Sequence, residues 1–260
     1  MSYLSTEFRE DALIITLNRP EQRNAFDAVL IEELIALLER AALQPQWRYL
    51  LLQGHGKHFS AGADLEWMRS MANASAETNR ADALRLARLF RLFYEFPAPT
   101  LVRIHGAAMG GALGLIACAD IAIASAETLF ALSELRLGLA PAVISPYLLR
   151  AIGPRALQYL ALTASVFKAE TALRMGLVHD VVPTESLDTA VSQTIATLLQ
   201  TAPQASRACK ALLRLQTPAP DPALEEQAAQ LIAQLRTQRE GQEGLAAFFN
   251  QHPPAWQKKS

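Results

Sequence analysis

Two short segments constrain this chain more than any other: His58-Phe-Ser-Ala-Gly-Ala-Asp-Leu65 and His105-Gly-Ala-Ala-Met-Gly-Gly-Ala-Leu-Gly114. Each follows an apolar run that reads as a buried strand, Tyr49–Gln53 before the first and Thr100–Ile104 before the second. Each puts glycine or alanine where a strand gives way to a helix. Free backbone N–H groups collect at such a place, and the lack of bulky side chains lets a ligand approach the main chain. Two turns of this kind side by side can aim two N–H donors at one oxygen, which is the design of an oxyanion hole. The same glycines also serve close packing.

The rest of the chain sets the frame. Strand-like runs at Ala12–Leu17, Tyr49–Gln53, Thr100–Ile104 and Ile121–Ala124 alternate with helices in the first half. Asp27 is placed to cap a helix reaching Leu43, with Leu30, Leu34, Leu37 and Leu38 near helical spacing and Pro45 beyond it. Ser75 is placed to cap a second, ending at Phe93 before Pro97 and Pro99. Strands separated by helices favour parallel pairing with right-handed crossovers, an α/β architecture. After Pro183 the pattern is helical: Glu185–Gln200, Gln204–Leu215, Leu224–Arg236 and Gln242–Asn250. We read residues 1–200 as the core and 201–260 as a helical region packed on it.

At 260 residues the chain can bury a large core without disulfides. Its two cysteines, Cys118 and Cys209, sit in apolar helical contexts and read as reduced thiols. The N-terminal segment has no basic stretch followed by an apolar one, so no secretory signal is expected, and no run is long enough to span a bilayer. These features lead us to expect a cytoplasmic protein without membrane or nucleic-acid partners. The net charge is −1, and the longest basic block is Lys258-Lys259. His58 and His105 flank the two loops but have no partner at metal-ligand spacing, so no metal site is expected.

Seven segments, in order along nearly the whole chain, resemble the crotonase superfamily, the enoyl-CoA hydratases and isomerases. Asn18-Arg-Pro-Glu-Gln-Arg-Asn-Ala-Phe26 resembles its first loop and Phe59–Asp64 its second. Gly106–Asp120 resembles the glycine-rich loop, helix and Cys-Asp that follow. Phe130-Ala-Leu-Ser-Glu134 resembles the catalytic-glutamate segment and Leu137–Pro141 the turn after it. Ala169–Val182 and Glu240–Phe248 resemble the later helices. The resemblance implies a spiral of ββα turns (ClpP/crotonase-like), a C-terminal helical region that builds a homotrimer or hexamer, and an acyl-CoA thioester substrate. Coenzyme A is then part of the substrate, and no separate cofactor is implied.

It also implies roles. The N–H groups of Ala63 and Gly111 would hold the thioester oxygen, and Glu134, flanked by apolar residues, would transfer the proton. Ala61, Gly62, Asp64, Leu65, Trp67, Gly110 and Ser145 fall among the residues expected to contact the thioester, Asp64 also as a helix cap. Arg23, with Arg19 and Lys57, is a candidate for the CoA phosphates; solvated charges are the alternative reading of all three. Ser145 and Tyr147 are candidates for holding water, with tight-turn capping the favoured reading of the serine.

One position departs from the pattern. Two-carboxylate hydratases of the superfamily carry a glutamate where this chain has Gly114. A single glutamate at the Glu134 position is what the Δ3,Δ2-enoyl-CoA isomerases use. The run Ser133–Tyr147 is instead similar to a bacterial branch described as methylglutaconyl-CoA or carboxygeranoyl-CoA hydratases, of leucine and acyclic isoprenoid breakdown. Their substrates carry a second carboxylate, for which Arg69 or Arg136 is a candidate cation. The expectation is a hydratase of a branched or methylglutaconyl-type enoyl-CoA, with the isomerase, or a catalytically weak acyl-CoA binder, as alternatives.

Overall fold

The computed structural model describes residues 2–9 and 11–257. Leu4–Phe8 (β1) pairs antiparallel with Ala12–Leu17 (β2). The helix expected next is Ala28–Ala42 (α1), and Asp27 accepts the Leu30 N–H at its start. Tyr49–Gly54 (β3) leads through the first site loop to Leu65–Ala72 (α2) and Ala76–Tyr94 (α3), the latter capped by Ser75 as predicted. Thr100–Ile104 (β4), Ala107–Met109 (β5) and Gly111–Cys118 (α4) follow, then Ile121–Ser125 (β6), Leu129–Ala131 (β7) and Ser145–Thr163 (α5). The chain continues through Val166–Lys168 (β8), Ala169–Met175 (α6) and Asp180–Val182 (β9). Four helices close it: Leu187–Leu199 (α7), Pro203–Gln216 (α8), Pro222–Thr237 (α9) and Arg239–Phe249 (α10).

The strands form two sheets, one in the order β1-β2-β3-β4-β6-β9, the other β5-β7-β8. Within the larger sheet β2, β3, β4, β6 and β9 run parallel, each pair joined by a helical crossover. A second, shorter ladder runs beside it. Ser60 pairs with Ala108, and Ala108 pairs with Phe130. Each turn of the chain therefore lays one segment on the large sheet, one on the small ladder, and then a helix: β3–Ser60–α2, β4–β5–α4, β6–β7–α5. This is a spiral of ββα turns. Its period stacks the loop after Ser60 directly against the loop after Ala108.

The main core lies between the sheets and the helices, filled by Phe26, Phe59, Phe90, Phe93, Leu113 and Phe130. On the opposite face of the large sheet α7 buries Leu187 and Val191 against Ile14, Leu51 and Ile123. Near one end α9 lies along α3, and Ala229 and Ile232 join the main core. No helix among the described residues is long and apolar enough to cross a membrane.

Candidate active site

The first loop is bent by two consecutive residues in the left-handed region, Arg23 (φ 52°) and Asn24 (φ 54°). Asn24 is fully buried and acts as a clamp: it accepts the Arg19 N–H at 2.9 Å and donates to the carbonyls of His55 and His58, both at 2.8 Å. The next residues run beside the second loop. Ala61 N donates to Arg23 O (2.9 Å), Phe26 N to Gly62 O (2.7 Å) and Asp64 N to Phe26 O (2.7 Å). In an extended backbone successive N–H groups point to opposite sides. With Asp64 N–H turned towards Phe26, the N–H of Ala63 points away and donates to nothing among the described residues.

The glycine-rich loop supplies a second free donor. Gly110 is outside the helical region (φ 51°, ψ −119°), its N–H bound to Ala131 O, and Gly111 opens α4. The first N–H groups of a helix have no intrahelical acceptor, and that of Gly111 finds none elsewhere among the described residues. The two loops touch: a Cβ on Gly62 (φ +85°) would stand 2.7 Å from Met109 O. Only glycine permits that approach with that backbone.

Glu134 begins a short 3-10 turn, Glu134–Leu137, after β7. Its carboxyl is buried, and Oε2 has no hydrogen-bond partner. Burial pushes its pKa up from 4.5 to about 7. Ala63, Gly110, Gly111 and Glu134 all line one cavity of about 1260 Å³. Two unpaired N–H donors and a carboxyl poised near neutrality meet there, the components needed to hold a developing oxyanion and move a proton beside it.

Most of the expected contact residues reach this cavity. Arg23, Ala61, Gly62, Asp64, Leu65, Trp67 and Gly110 line it. Asp64 is occupied, capping α2 by accepting from Glu66 N (2.9 Å) and Trp67 N (3.2 Å) and pairing with Arg19 at 3.3 Å. Arg19 is likewise taken, pairing also with Asp27 at 3.0 Å. Ser145 is not among the residues lining the cavity; its hydroxyl donates to Ala142 O at 2.8 Å in the turn before α5. Tyr147 is buried away from the cavity among Phe90 and Tyr94, and Lys57 does not line it. Arg69 stacks on Phe249 outside the lining, while Arg136 is exposed at the rim. His105 bonds Gly56 O at 2.8 Å through Nε2, and its pKa, like that of His58, is lowered chiefly by burial.

At Gly114, where the resemblance implies a glutamate in two-carboxylate hydratases, the space is filled. A Cβ there would come within 2.5 Å of Ile144 Cγ2 and 2.7 Å of Phe90 Cε1. The sequence did not single out Asp82 and Arg236, which also line the cavity. Among the described residues no group of three or more His, Cys, Asp and Glu side chains is arranged to hold a metal ion.

The spiral of ββα turns, with its paired loops opening on one cavity, defines a crotonase-fold enzyme. A family model described as enoyl-CoA hydratase/isomerase matches residues 7–259, and the chain belongs to that family. Among curated relatives it is 30% identical to the 2,3-dehydroadipyl-CoA hydratase of Escherichia coli, over 98% of both chains. Among solved structures it is similar to an enoyl-CoA hydratase from Shewanella pealeana, at 45% identity and a TM-score of 0.79, covering 98% of this chain and 96% of that one. An enoyl-CoA hydratase from Bacillus halodurans superposes with a TM-score of 0.87 at 27% identity, over 95% of this chain and all of its own.

Proposed function

We propose that this chain is an enoyl-CoA hydratase, adding water across the 2,3-double bond of a branched or methylglutaconyl-type thioester of the kind formed in leucine breakdown. On this reading it works in the cytoplasm as a homotrimer or hexamer, with residues 1–200 as the catalytic core and 201–260 as the helical assembly region. Exposed apolar side chains on α5 and α8, among them Tyr159, Leu162, Leu212 and Leu215, support an assembled form. The relative named for 2,3-dehydroadipyl-CoA, a thioester ending in a carboxylate, supports a dicarboxylic acyl group.

The observation that carries the reading is the Glu134 carboxyl, buried, raised to about 7 and lacking a partner on Oε2, in the same cavity as the free N–H groups of Ala63 and Gly111. The thioester oxygen accepts from both N–H groups, each worth ~3–4 kcal/mol as negative charge develops on it. Glu134 removes a proton from water as its oxygen bonds to C3, the double-bond electrons move to the thioester oxygen, and the carboxyl then returns a proton to C2. The loops, through Arg23, Ala61 and Leu65, form the wall for the CoA part.

A second reading follows from Gly114. With Phe90 and Ile144 filling that position, α4 contributes no second carboxylate. One base that moves a proton between C4 and C2 suffices for a Δ3,Δ2-enoyl-CoA isomerase. Incubation with crotonyl-CoA, 3-methylglutaconyl-CoA and a 3-enoyl-CoA in deuterated water, read by mass spectrometry, separates the two. Gain of one water on the methylglutaconyl substrate supports the hydratase. Conversion of the 3-enoyl to the 2-enoyl thioester without hydration replaces it with the isomerase, and binding with no turnover leaves only an acyl-CoA binder.

A further inference from the structure

Part of the cavity wall is formed where α9 lies along α3, and it carries a sequestered cation. Arg236, in the last turn of α9, donates through Nη1 to Asn79 Oδ1 at 3.1 Å and to Asp82 Oδ2 at 3.3 Å. Its side chain is only 13% exposed and that of Asp82 5%. Asn79 is itself fixed, its amide donating to the carbonyls of Met71, Ala74 and Ser75 at 2.9, 3.2 and 3.1 Å. The Trp67 ring lies beside the guanidinium, its centroid 5.8 Å from Cζ. Arg236 is therefore held in place from several sides.

What is left open on it matters most. Nε and Nη2 make no hydrogen bond among the described residues, yet neither is among the polar atoms sealed from solvent without a partner. They remain accessible in a side chain that lines the cavity. Nε and Nη2 share the edge of a guanidinium that takes a carboxylate through two parallel bonds. Sequestering an arginine has a large desolvation cost, which one contact of 3.3 Å to Asp82 offsets only in part. The same cavity is lined by the apolar side chains of Ala83, Leu86, Val143 and Ile232, which suit a hydrocarbon spacer.

We propose that Arg236 is a specificity-determining residue that receives a carboxylate at the acyl end remote from the thioester, with Asp82 and Asn79 as positioning residues. This rests on the reading of the cavity as an acyl-thioester site. The incoming carboxylate meets the Nε–Nη2 edge, away from Asp82 on the Nη1 side, so the guanidinium lies between two anions. Arg69 and Arg136, expected from the sequence, are not needed for this.

The test compares two saturated thioesters on the full chain, glutaryl-CoA and pentanoyl-CoA, which differ only in the terminal carboxylate. Calorimetry of the wild type is expected to show glutaryl-CoA bound about tenfold or more tightly. Arg236→Met, which keeps the apolar stem, is expected to erase that preference while leaving pentanoyl-CoA affinity within about twofold; Arg236→Lys is expected to restore part of it. The proposal is overturned if the wild type binds both alike, or if Arg236→Met weakens both equally. Binding of neither thioester would remove the acyl-CoA reading itself. Should Arg236→Met fail to fold, the wild-type ratio and the Lys variant still decide.

Discussion

The Glu134 carboxyl and Gly110 share one small space: a Cβ on Gly110 would stand 3.3 Å from Glu134 Oε1. The missing side chain lets the carboxyl lie against Gly110, the residue before α4. Gly110 holds φ 51°, a backbone conformation that also leaves the Gly111 N–H at the helix start. One residue thus sets both the carboxyl proposed as the acid–base group and the N–H proposed as an oxyanion donor.

Glu134→Gln keeps the shape and removes the proton acceptor. Turnover of the enoyl thioester is expected to fall by about 10²–10⁴-fold, the usual contribution of a positioned general base. Affinity for a saturated thioester, measured by calorimetry, is expected to stay within about twofold, because the N–H donors are untouched. A parallel loss of binding would point to Glu134 as a structural residue.

The pH response has two opposite signs. Glu134 accepts a proton only when ionised, so with a pKa of about 7 in the folded protein kcat/KM is expected to climb as pH rises through that value. Stability runs the other way. The folded state binds this proton more tightly than the unfolded chain, whose glutamate titrates near 4.5, so the contribution is full below that pH and lost as pH rises to about 7. Glu134→Gln removes the dependence. Urea unfolding is expected to show the variant more stable than wild type by about 2–3 kcal/mol near pH 8, with no such gain near pH 4.

Much of this was legible because it is local. Asp27 and Ser75 announce α1 and α3 through their caps, and small residues announce the two strand-to-helix turns, where the resemblance to the crotonase superfamily pointed to the N–H groups of Ala63 and Gly111. The second sheet was not legible. Its strands β5, β7 and β8 are three residues each, too short for alternation to show. Helix α5 was hidden by Pro146 and by Pro154 after Gly153, where the backbone leaves helical geometry (φ 72°). Arg236 and Asp82 were invisible for another reason. They are 154 residues apart and meet only because α9 packs along α3.

Gly62→Ala tests the contact between the two loops. The new Cβ meets Met109 O at 2.7 Å, and the backbone sits at φ +85°. Strain and collision together are expected to destabilise the fold by about 2–3 kcal/mol and to displace the Ala63 N–H. Loss of one aligned oxyanion donor lowers kcat by about 10²–10³-fold. Thermal unfolding and steady-state kinetics check the two effects separately; an unchanged kcat would mean that the Ala63 N–H does not hold the thioester oxygen.

Gly114→Glu asks whether the missing carboxylate can simply be put back. The geometry answers against it. Even the first atom of the side chain collides with Ile144 Cγ2 at 2.5 Å and Phe90 Cε1 at 2.7 Å, both from residues sealed in the core. Adding a methyl to such a site costs about 1–3 kcal/mol, and a carboxyl without hydrogen-bond partners adds to that. Gly114→Ala is therefore expected to lower the unfolding midpoint, and Gly114→Glu to lower it further while reducing crotonyl-CoA hydration. A Gly114→Glu protein that folds as well as wild type and hydrates crotonyl-CoA faster would mean that Phe90 and Ile144 yield, and that the chain kept the geometry of a two-carboxylate site. With Phe90 and Ile144 where they are, the proposed hydratase would have to hold its water with Glu134 and the substrate, without a carboxylate from α4.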